Sequence, residues 1–311
     1  MMMPGAVVNK EYLVRELEER VSKNGKRYQS IKLVNKGEEI RAIIWDDNRV
    51  NCQVVVGKVV CLNGLAEAYN GQVNIKITEA KIVDKNSEDF EPQIPTMVFD
   101  IECVGKKFKE LDGDEQDYLL NNLEKDEKNV EIKKEKTGLY SIFGIVCAIG
   151  MYNPNTNKGL VIAMGNPKKP MTPEKENFSY EIAETEKELL EKFWQKAIKY
   201  EKFVSYNGNG FDWPYLLVRS MANRVKVGCN MKAKAGYFID LQDKFKQSRP
   251  FKLEFICKAM EIENPKEKGV SGLEIQRLFS KKKYQTIADY VARDAYSTAE
   301  LYKVWKKLVG F

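Results

Sequence analysis

No histidine occurs anywhere in the 311 residues. That excludes Ser-His-Asp triads, Cys-His nucleophiles, histidine-bound zinc hydrolases and any nuclease whose general base is an imidazole. Chemistry in this chain has to run on carboxylates, tyrosine, lysine, cysteine or a metal. The six cysteines, Cys52, Cys61, Cys103, Cys147, Cys229 and Cys257, show no C-x-x-C spacing, and several sit in apolar runs. They read as reduced core thiols and not as a zinc site. No apolar run approaches the ~20 residues of a membrane span, and Met1 to Arg15 lacks the basic and apolar regions of a leader. The expected location is therefore the cytoplasm, with no membrane partner. No internal repeat or low-complexity tract is found. What is abundant is charge: 31% of residues are charged and the net is +6, which permits nucleic acid without requiring it.

The pattern divides the chain in two. From Tyr12 to Val83 short strands follow each other closely: a run to Val21, a turn at Asn24-Gly25, Tyr28 to Val34, then Glu39 to Trp45. After a polar stretch they resume at Lys58 to Tyr69, turn at Asn70-Gly71 and finish at Gln72 to Val83. Five strands in this order predict a small all-β OB-fold barrel over residues 1–86. Asp84 to Pro95 is polar, carries two prolines and reads as a linker. Residues 94–311 alternate strands (Thr96 to Ile101, Gly144 to Tyr152, Leu160 to Met164, Phe203 to Tyr206) with helices (Thr185 to Tyr200, Trp213 to Asn223, Phe251 to Met260, Ile287 to Leu308). Interleaving of this kind predicts an α/β layer structure. Within it, Asp112 to Lys136 reads as an amphipathic helix on a solvated excursion, its charge run a wet face.

Three segments of the second region put carboxylates at the edge of an apolar element. In Thr96-Met-Val-Phe-Asp100-Ile-Glu102, alternation places Asp100 and Glu102 on one side of a strand. Two carboxylates on one face repel unless a cation lies between them, which is how a protein holds a hard divalent ion. Phe99 reads as core. Val204 to Pro214 runs from a strand through the glycine-rich turn Asn207-Gly-Asn-Gly210 to Phe211-Asp212, where Asp212 is either part of this set or a helix N-cap. In Tyr290-Val-Ala-Arg-Asp294, a spacing of four sets Tyr290 and Asp294 on one helical face. Asp240, at a strand end, is unassigned unless it caps the next helix. Lys281 to Lys283 and Lys232 with Lys234 read either as solvated surface, the usual state of short lysine runs, or as cations that neutralise phosphates.

In order and spacing these segments resemble the motifs of the DEDDy 3′-5′ exonucleases. Residues 96–308 look most similar to stand-alone relatives of the proofreading domain of family B DNA polymerases. Gly138-Leu-Tyr-Ser-Ile-Phe-Gly144, Phe238-Ile-Asp240-Leu and Lys268-Gly-Val-Ser-Gly272-Leu add to the likeness. The resemblance implies an RNase H-like mixed sheet flanked by helices and a site binding two divalent ions, Mg²⁺ or Mn²⁺. Asp100, Glu102 and Asp294 would hold the first ion and the attacking water. Asp100 would also reach the second, assisted by Asp212. Tyr290 would orient the water, and the missing histidine agrees independently with the tyrosine variant of the site. Asn207 and Phe211 would contact substrate, Phe211 beside the terminal base. The first region resembles the OB modules of single-strand-binding and exonuclease-associated proteins, which implies Tyr28, Trp45 and Tyr69 as base-stacking candidates and Lys26, Arg27 and Arg41 as phosphate contacts.

The expected activity is thus hydrolysis from the 3′ end of single-stranded nucleic acid, DNA favoured over RNA. A catalytically silent end-binding module and an RNA-trimming enzyme of the same fold stay open.

Overall fold

The structure, a computed structural model, describes residues 3–36, 38–69, 71–85, 87–90, 93–167, 170–233, 236–263 and 274–309. Asn70 of the expected Asn70-Gly71 turn, Lys234, part of the expected linker and the Lys268 to Leu273 segment lie outside the described residues. The chain divides into two compact units, Met1–Gln93 and Ile94–Phe311.

In the first unit, strands β1 (Val7–Val21), β2 (Arg27–Asn35), β3 (Glu38–Trp45), β4 (Val59–Tyr69) and β5 (Gln72–Val83) close a barrel in the order β1-β2-β3-β5-β4. This is consistent with the expected OB-fold. β1 begins at Val7, five residues before the expected start, and its early half pairs with β4 while its later half pairs with β2. Periodicity missed that first half because its side chains, apart from Val8, are exposed or half-exposed. The barrel is filled by Tyr12, Val14, Ile31, Leu33, Ile44, Leu62, Ile75 and Ile77, alternate residues of the strands. Part of the expected linker folds back instead: Phe90 is buried against Leu13 and Val59, and its carbonyl accepts the Lys36 N–H. A single apolar residue does this, so no periodicity announced it.

The second unit is built on a mixed sheet of β6 (Thr96–Gly105), β7 (Gly144–Asn153), β8 (Lys158–Met164), β9 (Phe178–Ala183), β10 (Lys202–Ser205) and β11 (Phe238–Asp240), in the order β11-β10-β6-β7-β8-β9. β6 is central, parallel to β10 and antiparallel to β7. Helices α1 (Gly113–Tyr118) and α2 (Val130–Glu135) lie in the excursion after β6, followed by α3 (Glu186–Ala197), α4 (Asp212–Ala222), α5 (Leu241–Phe245), α6 (Leu253–Ala259), α7 (Ile275–Ser280) and α8 (Tyr284–Leu308). Helices cover both faces. Met97, Phe99 and Ile101 face α3 and α4, whereas Val98 and Val104 face α8. Phe99 is core, as expected, against Phe193 and Phe238.

The excursion departs from expectation. It is two short helices joined by a π-helical turn, Leu119–Leu123, and Leu111, Leu119 and Phe143 form a buried cluster of their own. Its charges partly serve structure: the buried Glu124 accepts from the Tyr140 hydroxyl and pairs with Lys136 at 2.7 Å.

Candidate active site

Asp100 and Glu102 stand on β6 between Val98 and Val104, on the face that receives α8. Asp294 comes to them from α8, so that single carboxylate oxygens of the three residues lie within 4.8 Å of one another. Glu102 and Asp294 are each 8% exposed. A glycine sets how deeply the helix seats: Gly150 on β7 is the register partner of Asp100, and a Cβ there would lie 2.5 Å from the Val291 carbonyl of α8. Any larger residue would lift the turn that carries Tyr290 and Asp294.

Asp212 reaches the same place by another route. β10 pairs with β6 only as far as Val98, so the next part of that β6 edge lacks a strand partner on this side. The chain leaves β10 at Ser205, turns through Asn207 to Gly210, and enters α4 with Asp212 as its first residue. Asp212 then accepts the Ile101 N–H at 3.1 Å. It is not the N-cap: Phe211 holds that position and makes no side-chain cap. Desolvation pushes the Asp212 carboxyl up to about 7, backbone N–H bonds oppose the shift, and Asp240 and Asp294 add to it.

Tyr290 is 3% exposed and hydrogen-bonds Asp294. Burial first, then the charges of Asp294, Glu102 and Asp100, push its hydroxyl far above the usual tyrosine range, so it is a donor and keeps its proton. It does not line the cleft over the carboxylates. That cleft, of about 240 Å³, is walled by Asp100, Glu102, Asp212 and Asp294 with Asn207, Phe211, Tyr206, Leu139 and Gln276. All four expected carboxylates, Asn207 and Phe211 are therefore brought together.

The carboxylate that sequence reasoning left unassigned turns out to organise this loop. Asp240, at the end of β11, accepts from the backbone N–H of Asn207 at 2.8 Å, Asn209 at 2.8 Å and Gln242 at 3.0 Å. It caps α5, as one reading had it, and also clasps the turn. Asn207 adopts a φ of +67°, and a Cβ at Gly208 would collide with Ser205. Only a glycine follows Asn207 without clash, which leaves the Asn-Gly signal in the sequence but not its carboxylate anchor. On α4, Tyr215 donates to the Gly138 carbonyl, and Arg219 links the buried Glu186 to the Ser141 carbonyl, fixing the Leu139 side of the cleft.

The barrel candidates separate. Tyr28 and Trp45 are cross-strand partners with ring centroids 5.2 Å apart, a partly exposed pair. Tyr69, 62% exposed, pairs with Gln72, and β5 runs beside β3 with Asn74 opposite Arg41. Trp45 therefore lies about six residues, or ~20 Å, further along. Arg41 sits in a groove with Arg20 and Lys32 but also Glu16, Glu18 and Glu39. Lys232 lies over the Phe238 ring, and Lys281 to Lys283 are exposed.

Residues 176–310 match the family described as "Predicted 3'-5' exonuclease related to the exonuclease domain of PolB". The match includes Asp212, Tyr290 and Asp294 but not β6, so Asp100 and Glu102 join the set through the fold alone. No curated protein matches the chain. Among solved structures, the chain is similar to the family B DNA polymerase from the hyperthermophilic archaeon Pyrobaculum calidifontis, at 12% identity and a TM-score of 0.46, covering 95% of this chain and 46% of the polymerase. The chain thus spans under half the length of that polymerase.

Proposed function

We propose, from the exonuclease family match over residues 176–310, that this chain removes nucleotides from the 3′ end of single-stranded nucleic acid, DNA in preference to RNA, with two divalent metal ions. One observation carries the reading: Asp100, Glu102 and Asp294, drawn from a central strand and the last helix, converge within 4.8 Å in a cleft that Asp212 also lines.

The donor set fits a hard divalent cation. All donors are carboxylate oxygens, with no imidazole or thiolate among them, which suits Mg²⁺ or Mn²⁺ and disfavours zinc. Asp100, Glu102 and Asp294 would hold one ion, and Asp100 with Asp212 the second. Such ions, when bound, supply Lewis acidity at the phosphorus-bound oxygens and lower the pKa of water. The protein's own part is placement. Asp240 fixes the turn from which Asn207 and Phe211 meet the terminal nucleotide, and Gly150 fixes the depth of α8. Tyr290, protonated and hydrogen-bonded to Asp294, stands behind the cleft and acts on the site through that carboxylate. In the barrel, Tyr28 with Trp45 offers a stacking platform and Tyr69 a separate contact.

The test is a time course on matched 5′-labelled single-stranded DNA and RNA with Mg²⁺, Mn²⁺ or EDTA. The expected result is a ladder shortening from the 3′ end, dependent on metal, absent in Asp100→Ala, and faster on DNA. Binding without cleavage under every metal would replace the enzyme by a silent end-binding module. Faster trimming of RNA would reverse the substrate order.

A further inference from the structure

Between α5 and α6 the chain reads Lys244-Phe-Lys-Gln-Ser-Arg-Pro-Phe-Lys252, and it continues through α6 to Lys258 with Glu254 as the one carboxylate in that stretch. This segment was no part of the sequence-based site. Lys246, Arg249, Lys252 and Lys258 are all exposed, and among the described residues none of them is paired with a carboxylate. Cations left in this state are suited to phosphate. Phe255 is 60% exposed and Phe251 is also exposed, the two phenylalanines that stand so among the described residues. An exposed phenylalanine forgoes the free energy of burial, which a stacked base would restore.

The segment is also tied to the cleft. The Phe251 carbonyl accepts from the Tyr206 hydroxyl at 2.8 Å and from the Gln242 side-chain amide at 3.3 Å. Tyr206 itself lines the carboxylate cleft beside Asn207. α6 is anchored from beneath by buried Cys257 and by Leu253 and Ile256, which pack on the core cluster that includes α8. α6 also packs against α8, the helix that carries Asp294. Phe255, Lys252 and Lys258 are thus presented outward from a fixed base at the edge of the cleft.

We infer that this segment is the guide for the substrate strand outside the cleft, with Lys246, Arg249, Lys252 and Lys258 taking phosphates and Phe251 and Phe255 stacking on bases. The inference rests on the nuclease reading above and adds where the strand runs. An acidic protein segment would satisfy the cations but would leave two exposed phenyl rings unused, so single-stranded nucleic acid is the better occupant.

The test is fluorescence anisotropy of a 5′-labelled oligodeoxythymidine of twelve nucleotides in EDTA, across a range of salt. Lys246→Gln/Arg249→Gln/Lys252→Gln should bind about tenfold more weakly or worse, and its slope of log K against log salt should be shallower by about 2, at ~0.7 per lost phosphate contact. Phe251→Ala/Phe255→Ala should weaken binding about tenfold with the slope kept. A charge-matched control, Lys158→Gln/Lys199→Gln/Lys226→Gln, should stay within about twofold of the parent, because its lysines are exposed on other elements. Every substituted side chain is exposed, and melting temperatures check that the fold is kept. An unchanged slope in the first variant overturns the inference, as does an equal loss in the control. So does competition by a polyglutamate peptide as effective as that by unlabelled oligonucleotide. Binding in EDTA needs no hydrolysis. A chain that never cleaves but shows the slope change would overturn the nuclease reading and keep this one, and a working nuclease with no slope change would do the reverse.

Discussion

The two units differ in how their charge is distributed. Residues 1–93 contain fourteen basic and fourteen acidic residues, so the chain's net +6 belongs entirely to residues 94–311. On the barrel, Arg20, Lys32, Arg49, Lys76, Lys81 and Lys85 are held by carboxylates, often across strands. On the second unit, exposed cations on the segment leading from α5 into α6 have no carboxylate partner among the described residues. A neutral surface on which several cations already have partners gains less from phosphate than a run of cations without them. Binding to the barrel is therefore expected to rest mainly on stacking, and binding to the second unit on charge together with its two exposed phenylalanines.

The largest effect expected belongs to the cleft. Asp294→Ala should lower cleavage at least about a thousandfold, as EDTA should in the parent, while oligonucleotide binding to the barrel persists. Loss of both together would mean that the units do not work separately. Next comes Asp240→Ala, which leaves three backbone N–H groups without their acceptor. About 3 kcal/mol or more should be lost from the second unit, measured by denaturant unfolding, with barrel stability unchanged. Asp240→Asn should recover part of it. Tyr290→Phe removes one hydrogen bond to a carboxylate and should cost about ten- to hundredfold in kcat, with the melting temperature nearly kept. A drop no larger than twofold would relegate the tyrosine to packing. Smallest is Trp45→Ala in the barrel, which should weaken binding by about 1 kcal/mol, the low end for a stacked base, without altering its salt slope. A changed slope there would break the contrast between the units.

Legibility followed how many residues share a signal. Barrel strands and the long helices were readable because each repeats an apolar period over many positions. The carboxylate set was legible through the resemblance of three segments taken together to exonuclease motifs, since alternation on β6 and the four-residue step on α8 are each commonplace alone. What escaped was carried by single residues or by partners distant in sequence. Phe90 pins the supposed linker, Leu119 sits at the centre of a charged excursion, and Asp240 serves a turn more than thirty residues before it. Gly150 has no period at all; its meaning is a distance to Val291 that exists only once α8 has packed. Asp212 left two readings open, cap or ligand, because both use the same residue type and position, and the unpaired edge of β6 is what tells them apart.

Glu102 and Asp294 are nearly two hundred residues apart in the chain, yet they face each other across one cluster of oxygens. An ion bound there would act as a removable cross-link, closing a loop that spans most of the second unit, whereas without it three adjacent carboxylates push the strand and the helix apart. Heat resistance of this unit should therefore track magnesium concentration, rising with the logarithm of its excess over the dissociation constant, and Asp294→Ala should lose that dependence while escaping the repulsion. The residues that equip the cleft for chemistry would then also make the fold report on its own metal supply.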